Sequence, residues 1–182
     1  IVLSFKNHSM KKAIINFKAS ILSKKSQLPY EIGKILLREA LQISSAESCT
    51  GGLISSRLTD VAGSSAYIKA NFVTYSNEAK HKILNVPEET LKTYGAVSEE
   101  CAREMARGLL KLTGSDIVIC TTGVAGPSGS ERKPVGLLYA ACGYNDNINV
   151  QKFELDSGYN RKNMKFMFSE KALQMVLDTL RH

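Results

Sequence analysis

The sequence predicts a three-layer α/β/α sandwich around a mixed, mostly parallel central sheet. Helix-like segments separate the early apolar segments, which implies parallel crossovers between strands. Residues 116–122 form a largely apolar run, as expected of a central strand that is covered on both faces. A short turn at 144–147 joins two later strands as an antiparallel hairpin, which makes the sheet mixed. The chain of 182 residues has room for one sizeable core.

The first strand is expected between two helices. One helix is predicted over 29–37, and a strand at 41–44 leads into Ser48. The helix after Gly52 is expected to have Thr50 as its cap and to stop near residues 60–63, where Gly63 suits a C′ position.

The next strand is followed by helices with clear start signals. Alternation and aromatic content predict a strand over 66–75. Two short helices follow, and Ser76 or Asn77 is the expected cap of the first. A capping-box pattern at Ser98 predicts a longer helix, which Gly114 ends.

The last third of the chain begins with the apolar strand and a glycine-rich loop over 123–129. Two strands are predicted over 135–143 and 148–155, and a final helix is predicted over 161–180. No internal repeat interrupts this order.

The positive charge of the chain lies mostly at its start. Residues 1–25 contain six lysines and no acid, out of a net charge of +7, so the rest carries about +1. We therefore divide the chain into a basic extension, 1–27, and a domain, 28–182. The near-neutral domain makes nucleic acid an unlikely partner, although a basic arm that contacts nucleic acid or anionic lipid is the alternative. No apolar run has the length of a membrane span, so no membrane association is expected.

Cysteine usage indicates a reducing compartment. The four cysteines show no C-x-x-C spacing, which argues against a zinc ribbon or a redox motif. We expect a cytoplasmic protein without a metal site.

Ser48 is the first candidate for chemistry, because it lies at a tight junction between a strand and a helix. Unsatisfied N–H groups at a helix start can hold a phosphate or a developing oxyanion. A serine nucleophile would be placed beside such donors. The alternative is that Ser48 and Thr50 simply cap the helix.

A serine nucleophile needs a base, and the sequence offers few histidines for that role. Only His81 lies within the domain body, whereas Lys80 follows the second strand by one helical turn. The carboxyl ends of adjacent parallel strands face one crevice, so Ser48 and Lys80 are expected to meet there. A lysine acts as a base only when it is neutral, which requires burial or nearby positive charge. The alternative is a solvated surface lysine.

The third strand end supplies a further wall of this expected pocket. Residues 122–127 contain glycines that match no dinucleotide or Walker motif. Arg132, Lys133 and Arg161 come after it, and each could pair with a phosphate or remain a solvated charge.

At this point the sequence resembles the CinA carboxy-terminal family, whose stand-alone members are nicotinamide-nucleotide amidases. The motifs occur in the family's order from about residue 28 to the end of the chain. They are AESCTGG at 46–52, GSS at 63–65, FVTYSNEAK at 72–80, GAVS at 95–98, TGVAGP at 122–127 and KPVG at 133–136.

The resemblance implies hydrolysis of nicotinamide mononucleotide to nicotinate mononucleotide and ammonia, without a cofactor. It assigns Ser48 as nucleophile and Lys80 as general base, and we expect Tyr75 to orient Lys80 and Arg161 to bind the substrate phosphate. The full set of residues expected to bind substrate is Thr50, Gly51, Gly52, Ser64, Asn77, Thr122, Gly123, Ala125, Gly126 and Arg161. The implied partners are a pyridine mononucleotide and a second copy in a homodimer.

A different class of function remains open at this stage. The same loops could bind a phosphate without turnover, as a silent nucleotide-binding or regulatory module. The pairing of Ser48 with Lys80 favours the enzyme, because a binding module needs no such pair. Larger family members carry an amino-terminal domain, and too few residues precede Leu28 here to hold one.

Overall fold

The computed structural model describes residues 2–130, 133–145 and 147–181. Seven helices, one short 3₁₀ helix and five strands occur in that part of the chain. In order they are α1 (Val2–Lys25), α2 (Leu28–Arg38), β1 (Ile43–Glu47), α3 (Leu53–Thr59), the 3₁₀ helix (Ser64–Ala66), β2 (Ile68–Val73), α4 (Asn77–Leu84), α5 (Glu88–Thr93), α6 (Glu99–Thr113), β3 (Ile117–Gly123), β4 (Leu137–Tyr144), β5 (Asn147–Glu154) and α7 (Arg161–Arg181).

The strands form one sheet in the order β2-β1-β3-β4-β5. β1 pairs in parallel with both β2 and β3, whereas β4 is antiparallel to β3 and to β5. Four strands therefore run in one direction and β4 alone opposes them. This arrangement confirms the predicted mixed, mostly parallel sheet.

Helices cover both faces of the sheet, so the predicted three layers are present. Buried residues of α2, α3 and α7 form one core cluster with Ile117 and Ile119, and residues of α4 and α6 form another with Val118 and Cys120. Successive side chains of a strand point to opposite faces. β3 therefore contributes apolar side chains to both layers, which explains its unbroken apolar run.

Two of the predicted helix starts are confirmed by their caps. The Ser76 hydroxyl accepts a hydrogen bond from the Ala79 N–H at 3.0 Å, and the Ser98 hydroxyl accepts one from the Cys101 N–H at 3.1 Å. Because a cysteine stands at the third helical position of α6, the reciprocal carboxylate of a full capping box is missing. Gly114 ends α6 in the left-handed conformation, as predicted.

The expected cap of α3 is wrong, whereas its expected bounds are confirmed. Gly52, with a φ of 88°, precedes the helix, and the Thr50 hydroxyl instead pairs with the Thr121 hydroxyl at 2.9 Å. The helix ends at Thr59, next to the expected stop near residues 60–63. Gly63, which we expected at the C′ position, introduces the 3₁₀ helix, so β2 begins two residues later than expected.

The basic extension is a helix that packs on the domain. Ala19 of α1 is buried, and the Asn16 side-chain amide donates to the Gly158 carbonyl at 3.0 Å. Lys11 and Asp156 form an exposed ion pair at 2.8 Å, which contributes little to stability. Among the helices described, none combines the length and the apolar character needed to cross a membrane.

Candidate active site

The carboxyl ends of β1, β2 and β3 meet at one edge of the sheet. Glu47 is in register with Val73 on one side and with Thr121 on the other. The segments that follow these three positions begin at Ser48, Thr74 and Thr122, and they therefore lie side by side. They border a cavity of 360 Å³, which is also lined by residues of the glycine-rich loop and by Arg161 of α7.

Ser48 and Lys80 meet in this cavity. The Lys80 amine lies 3.2 Å from the Ser48 hydroxyl oxygen, 2.9 Å from the Thr74 carbonyl oxygen and 3.4 Å from the Tyr75 carbonyl oxygen. The Ser76 cap starts α4 directly after β2, and this places Lys80 in the first turn, facing β1. The hydroxyl and the amine are thus within hydrogen-bond reach of each other, which is the distance that a serine nucleophile and a base would require.

Lys80 is almost completely buried, at 1% exposure. Burial penalises the charged form of an amine, whereas carbonyl oxygens accept hydrogen bonds from either form. The two carbonyl contacts therefore fix the position of the amine without requiring its charge. A solvated surface lysine, the alternative considered from the sequence, is not what the structure shows.

Glu47 lies directly before Ser48, and we did not identify it from the sequence. Its carboxylate is fully buried and accepts hydrogen bonds from the Ile54 N–H at 3.1 Å and from the Ser55 N–H at 2.8 Å. The start of α3 is thus satisfied by an internal anion one residue before Ser48. The sequence signal for Glu47 was a single acidic residue among small residues, at the end of a buried strand and just before a helix.

This carboxylate changes the expected oxyanion site. The N–H groups of the first turn of α3 are occupied, so they do not serve as anion donors. The backbone N–H groups that follow Ser48 belong to Cys49 and Thr50, and neither makes a backbone–backbone hydrogen bond within the described residues. These two groups are the nearest candidates along the chain.

Four residues that we expected to bind substrate do not line the cavity. Thr50 is buried beneath the turn, and Gly51 and Gly52 adopt positive φ to form it. The Lys165 amine lies 3.1 Å from the position that a Cβ of Gly51 would take. Ser64 lies before the amino end of β2, whereas the cavity lies at the carboxyl end of this strand.

Tyr75 and Arg161 form a contact at the mouth of the cavity. The Arg161 guanidinium donates to the Tyr75 hydroxyl at 3.0 Å and also to the Gly126 carbonyl. The phenol of Tyr75 therefore lies against Arg161, and only the main-chain carbonyl of Tyr75 contacts Lys80. The expected role of the Tyr75 side chain in orienting Lys80 has no contact to support it.

The glycine-rich loop approaches the turn after β1 closely. A Cβ on Gly123 would lie 2.4 Å from the Leu137 carbonyl oxygen and 3.2 Å from the Cys49 sulfur, so a side chain does not fit there. The Thr122 hydroxyl donates to the Ala96 carbonyl at 2.6 Å. With Ala125 and Gly126, these residues line the cavity as expected.

The remaining candidates are placed differently. Asn77 lines the cavity, but His81 turns its ring towards the Val86 carbonyl, with 2.9 Å between Nδ1 and the oxygen. Lys133 pairs with Ser130 through the backbone and is not a lining residue. Arg132 lies outside the described residues.

Cys49 is the other nucleophile at the cavity. Burial raises the pKa of the Cys49 thiol to about 12. Since the thiolate is the reactive form, this thiol is inert near neutral pH. Of these two adjacent residues, Ser48 is therefore the better candidate for a nucleophile, because its hydroxyl contacts the Lys80 amine.

The charge of the cavity wall favours an anionic ligand. Arg161 is a permanent cation of this wall, Lys80 is its second basic residue, and no carboxylate occurs among the described residues that line the cavity. Within the same described part of the chain, no group of three histidine, cysteine or acidic side chains is arranged to hold a metal ion.

Solved structures of similar chains share this fold and define its class. The competence damage-inducible protein A of Klebsiella pneumoniae superposes with a TM-score of 0.82 at 32% identity, covering 86% of this chain and 96% of that one. The competence/damage inducible protein CihA of Agrobacterium tumefaciens gives 0.81 at 39% identity, covering 86% and 94%. The class is thus that of the competence/damage-inducible α/β domains.

The family follows from the sequence comparison. The model of the CinA C-terminal domain matches residues 25–180, so the chain belongs to that family. A CinA-like protein of Chloroherpeton thalassium is 50% identical over 160 residues, which cover 85% of this chain and 38% of that protein. A CinA-like protein of Endomicrobium trichonymphae is 45% identical over 150 residues, which cover 82% and 34%. The chain thus spans little more than a third of the length of these relatives.

Proposed function

We propose that this chain is an amidase that hydrolyses the carboxamide of nicotinamide mononucleotide, giving nicotinate mononucleotide and ammonia. The observation that carries the proposal is the 3.2 Å contact between the Lys80 amine and the Ser48 hydroxyl in a cavity without lining carboxylates. A module that only binds a nucleotide does not need a buried lysine hydrogen-bonded to a serine hydroxyl. The family resemblance supplies the identity of the substrate.

In the first half of the reaction, neutral Lys80 accepts the proton of the Ser48 hydroxyl, and the serine oxygen attacks the amide carbon. The tetrahedral intermediate carries a negative oxygen, and the backbone N–H groups of Cys49 and Thr50 are the donors assigned to it. Its collapse breaks the bond between carbon and nitrogen. Lys80 returns its proton to the nitrogen, which leaves as ammonia.

In the second half, water replaces ammonia in the cavity. Lys80 takes a proton from this water, and the resulting hydroxide attacks the ester carbon of the acyl-enzyme. The ester bond to the Ser48 oxygen then breaks, and the proton returns from Lys80 to that oxygen. Nicotinate mononucleotide leaves, and serine and neutral lysine are restored.

The phosphate of the substrate is assigned to the side of the cavity with Arg161. Arg161 is an exposed residue of the cavity wall and stays charged, whereas Lys80 is buried and acts as a neutral base, so Arg161 is the cation left to bind the phosphate. Ser128 and Ser130 of the glycine-rich loop line the same cavity and offer hydroxyl donors. Arg161 can add a charge-assisted bond to phosphate while it keeps its contact with Gly126.

The proposal is tested by comparing two substrates that differ only in the phosphate. Ammonia release from nicotinamide mononucleotide and from nicotinamide riboside is measured with the wild-type protein and with Arg161→Ala. We expect turnover of the nucleotide, a much higher KM for the riboside, and a smaller difference between the two substrates in the variant. Tight binding of the nucleotide without any ammonia release would reject the amidase and favour the silent binding module.

A further inference from the structure

Asn16 of the N-terminal helix forms several hydrogen bonds with the segment that leads into α7. The Asn16 oxygen accepts hydrogen bonds from the Asn160 backbone N–H at 2.9 Å and from the Asn163 side-chain amide at 2.8 Å. The Asn16 amide donates to the Gly158 carbonyl at 3.0 Å and to the Lys12 carbonyl at 2.8 Å. One partly buried amide thus satisfies three groups of a segment that lies more than 140 residues further along the chain.

The residues held by Asn16 set the start of α7. Asn160 precedes this helix, and its side-chain oxygen accepts a hydrogen bond from the Asn163 N–H at 2.9 Å, as an N-cap does. The next residue is Arg161, whose guanidinium bonds to the Tyr75 hydroxyl and to the Gly126 carbonyl at the mouth of the cavity. The path from Asn16 to the cavity therefore contains only the Asn160 peptide and the Arg161 side chain.

The packing around Gly158 makes this contact specific. A Cβ on Gly158 would lie 3.0 Å from the Ile15 side chain and 3.1 Å from the Lys12 side chain. The α1 helix therefore rests directly on the backbone of the segment before α7. Other residues of α1, such as Lys18, are exposed and offer a matched control.

We infer that Asn16 is a positioning residue for the active site, acting through the Asn160 backbone on Arg161. The inference rests on the proposed function for its kinetic readout, but not for its structural one. Asn16 lies before residue 25, where the match to the family begins. The contact between Asn16 and the start of α7 is therefore made by the extension and not within the shared domain. The basic extension is thereby a part of the site and not a detached tail.

Asn16→Ala removes the acceptor of the Asn160 N–H and leaves the start of α7 free to shift. Arg161 is assigned to substrate binding, which the ground state and the transition state share, so KM should rise while kcat stays within about twofold. Of the hydrogen bonds that this variant loses, the one from the Asn160 N–H connects Asn16 to Arg161, and the loss of that one neutral hydrogen bond predicts a rise in KM of about fivefold. Asn16→Asp keeps the accepting oxygen and should fall between the wild type and the alanine variant. Lys18→Ala should match the wild type.

A double variant separates positioning from general destabilisation. If Asn16 acts through Arg161, adding Asn16→Ala to Arg161→Ala should change KM by less than about twofold. A full fivefold increase in that background would overturn the inference, because it would show that Asn16 acts without Arg161. Equal melting temperatures of the variants exclude unfolding as the cause.

Hydrogen exchange of the Asn160 backbone amide tests the contact without any substrate. We expect faster exchange in Asn16→Ala than in the wild type and in Lys18→Ala. Unchanged exchange would overturn the inference whatever the kinetics show. If the wild type releases no ammonia, the amidase proposal fails, and this exchange measurement alone decides whether Asn16 holds the start of α7.

Discussion

Two halves of the sheet differ in the side chains that they bury. The parallel half comprises β1, β2 and β3, and the antiparallel half comprises β4 and β5. Fully or nearly fully buried polar side chains occur in β1 and β3, at Ser44, Ser45, Glu47, Thr121 and Thr122. In the described residues of β4 and β5, the buried side chains are apolar. Burying a polar group costs free energy unless it is hydrogen-bonded. The parallel half therefore holds polar side chains that need hydrogen-bond partners, and the candidate site lies at its end.

All five of these buried polar side chains are hydrogen-bonded. The hydroxyls of Ser44 and Ser115 lie 2.7 Å apart, and the Ser45 hydroxyl donates to the Asn71 side chain at 2.9 Å. By contrast, the hydroxyl of Thr74, which follows β2, is buried without a partner among the described residues. It stands directly beside the carbonyl that holds Lys80. Unsatisfied buried groups tend to concentrate at functional sites, and this one agrees with that tendency.

The largest expected effect is the loss of the base at the end of the parallel half. Lys80→Ala should lower kcat/KM for nicotinamide mononucleotide by about 10³-fold, since a positioned base contributes that order of rate enhancement. Lys80→Arg should fail to restore activity, because a guanidinium does not deprotonate near neutral pH. Steady-state ammonia release checks both variants. An active Lys80→Arg variant would contradict the role of Lys80 as base.

A smaller effect is expected when the buried carboxylate of β1 is changed to its amide. Glu47→Gln leaves one of the two N–H groups at the start of α3 facing an amide donor, which should cost about 1–3 kcal/mol. Because Ser48 is the next residue, kcat should fall as well. The matched control is Glu154→Gln in β5, an exposed glutamate for which the change should stay within about 0.5 kcal/mol. Urea unfolding measures both, and equal effects would remove the contrast between the two halves.

In the antiparallel half, a core substitution should affect stability without affecting catalysis. A Cβ on Gly143 would lie 2.9 Å from the Leu110 and Val118 side chains, so Gly143→Ala overpacks the core. We expect a loss of about 1–2 kcal/mol in the free energy of unfolding. Gly143 pairs with Val118, at the end of the sheet far from Ser48, so kcat per folded molecule should be unchanged. A large fall in kcat would show that this half also shapes the site.

The smallest effect is expected from the buried thiols of the two halves. Burial raises the pKa of Cys49 to about 12 and that of Cys142 to about 11. Because a thiol with a raised pKa stays protonated below it, both should resist iodoacetamide in the native protein at pH 8 and react after unfolding. Mass spectrometry of the labelled peptides distinguishes them. Rapid labelling of Cys49 alone would show that the site activates this thiol.

Much of the fold and the central pair of the site could be predicted from the sequence, because these features depend on local signals. Strand periodicity, the caps at Ser76 and Ser98, and the meeting of parallel strand ends place Ser48 and Lys80 at one edge. The contacts of Asn16 and the phenol of Tyr75 could not be predicted. They depend on how α7 packs against distant segments, and no spacing in the sequence encodes that.

The central claim is that Ser48, and not the adjacent Cys49, is the nucleophile that Lys80 deprotonates. Ammonia release from nicotinamide mononucleotide by the wild type, Ser48→Ala and Cys49→Ala tests it most directly. We predict turnover by the wild type, its loss in Ser48→Ala with folding intact, and a fall of less than about tenfold in Cys49→Ala, because that change leaves the backbone donor in place. Turnover that survives in Ser48→Ala but is lost in Cys49→Ala would contradict the claim.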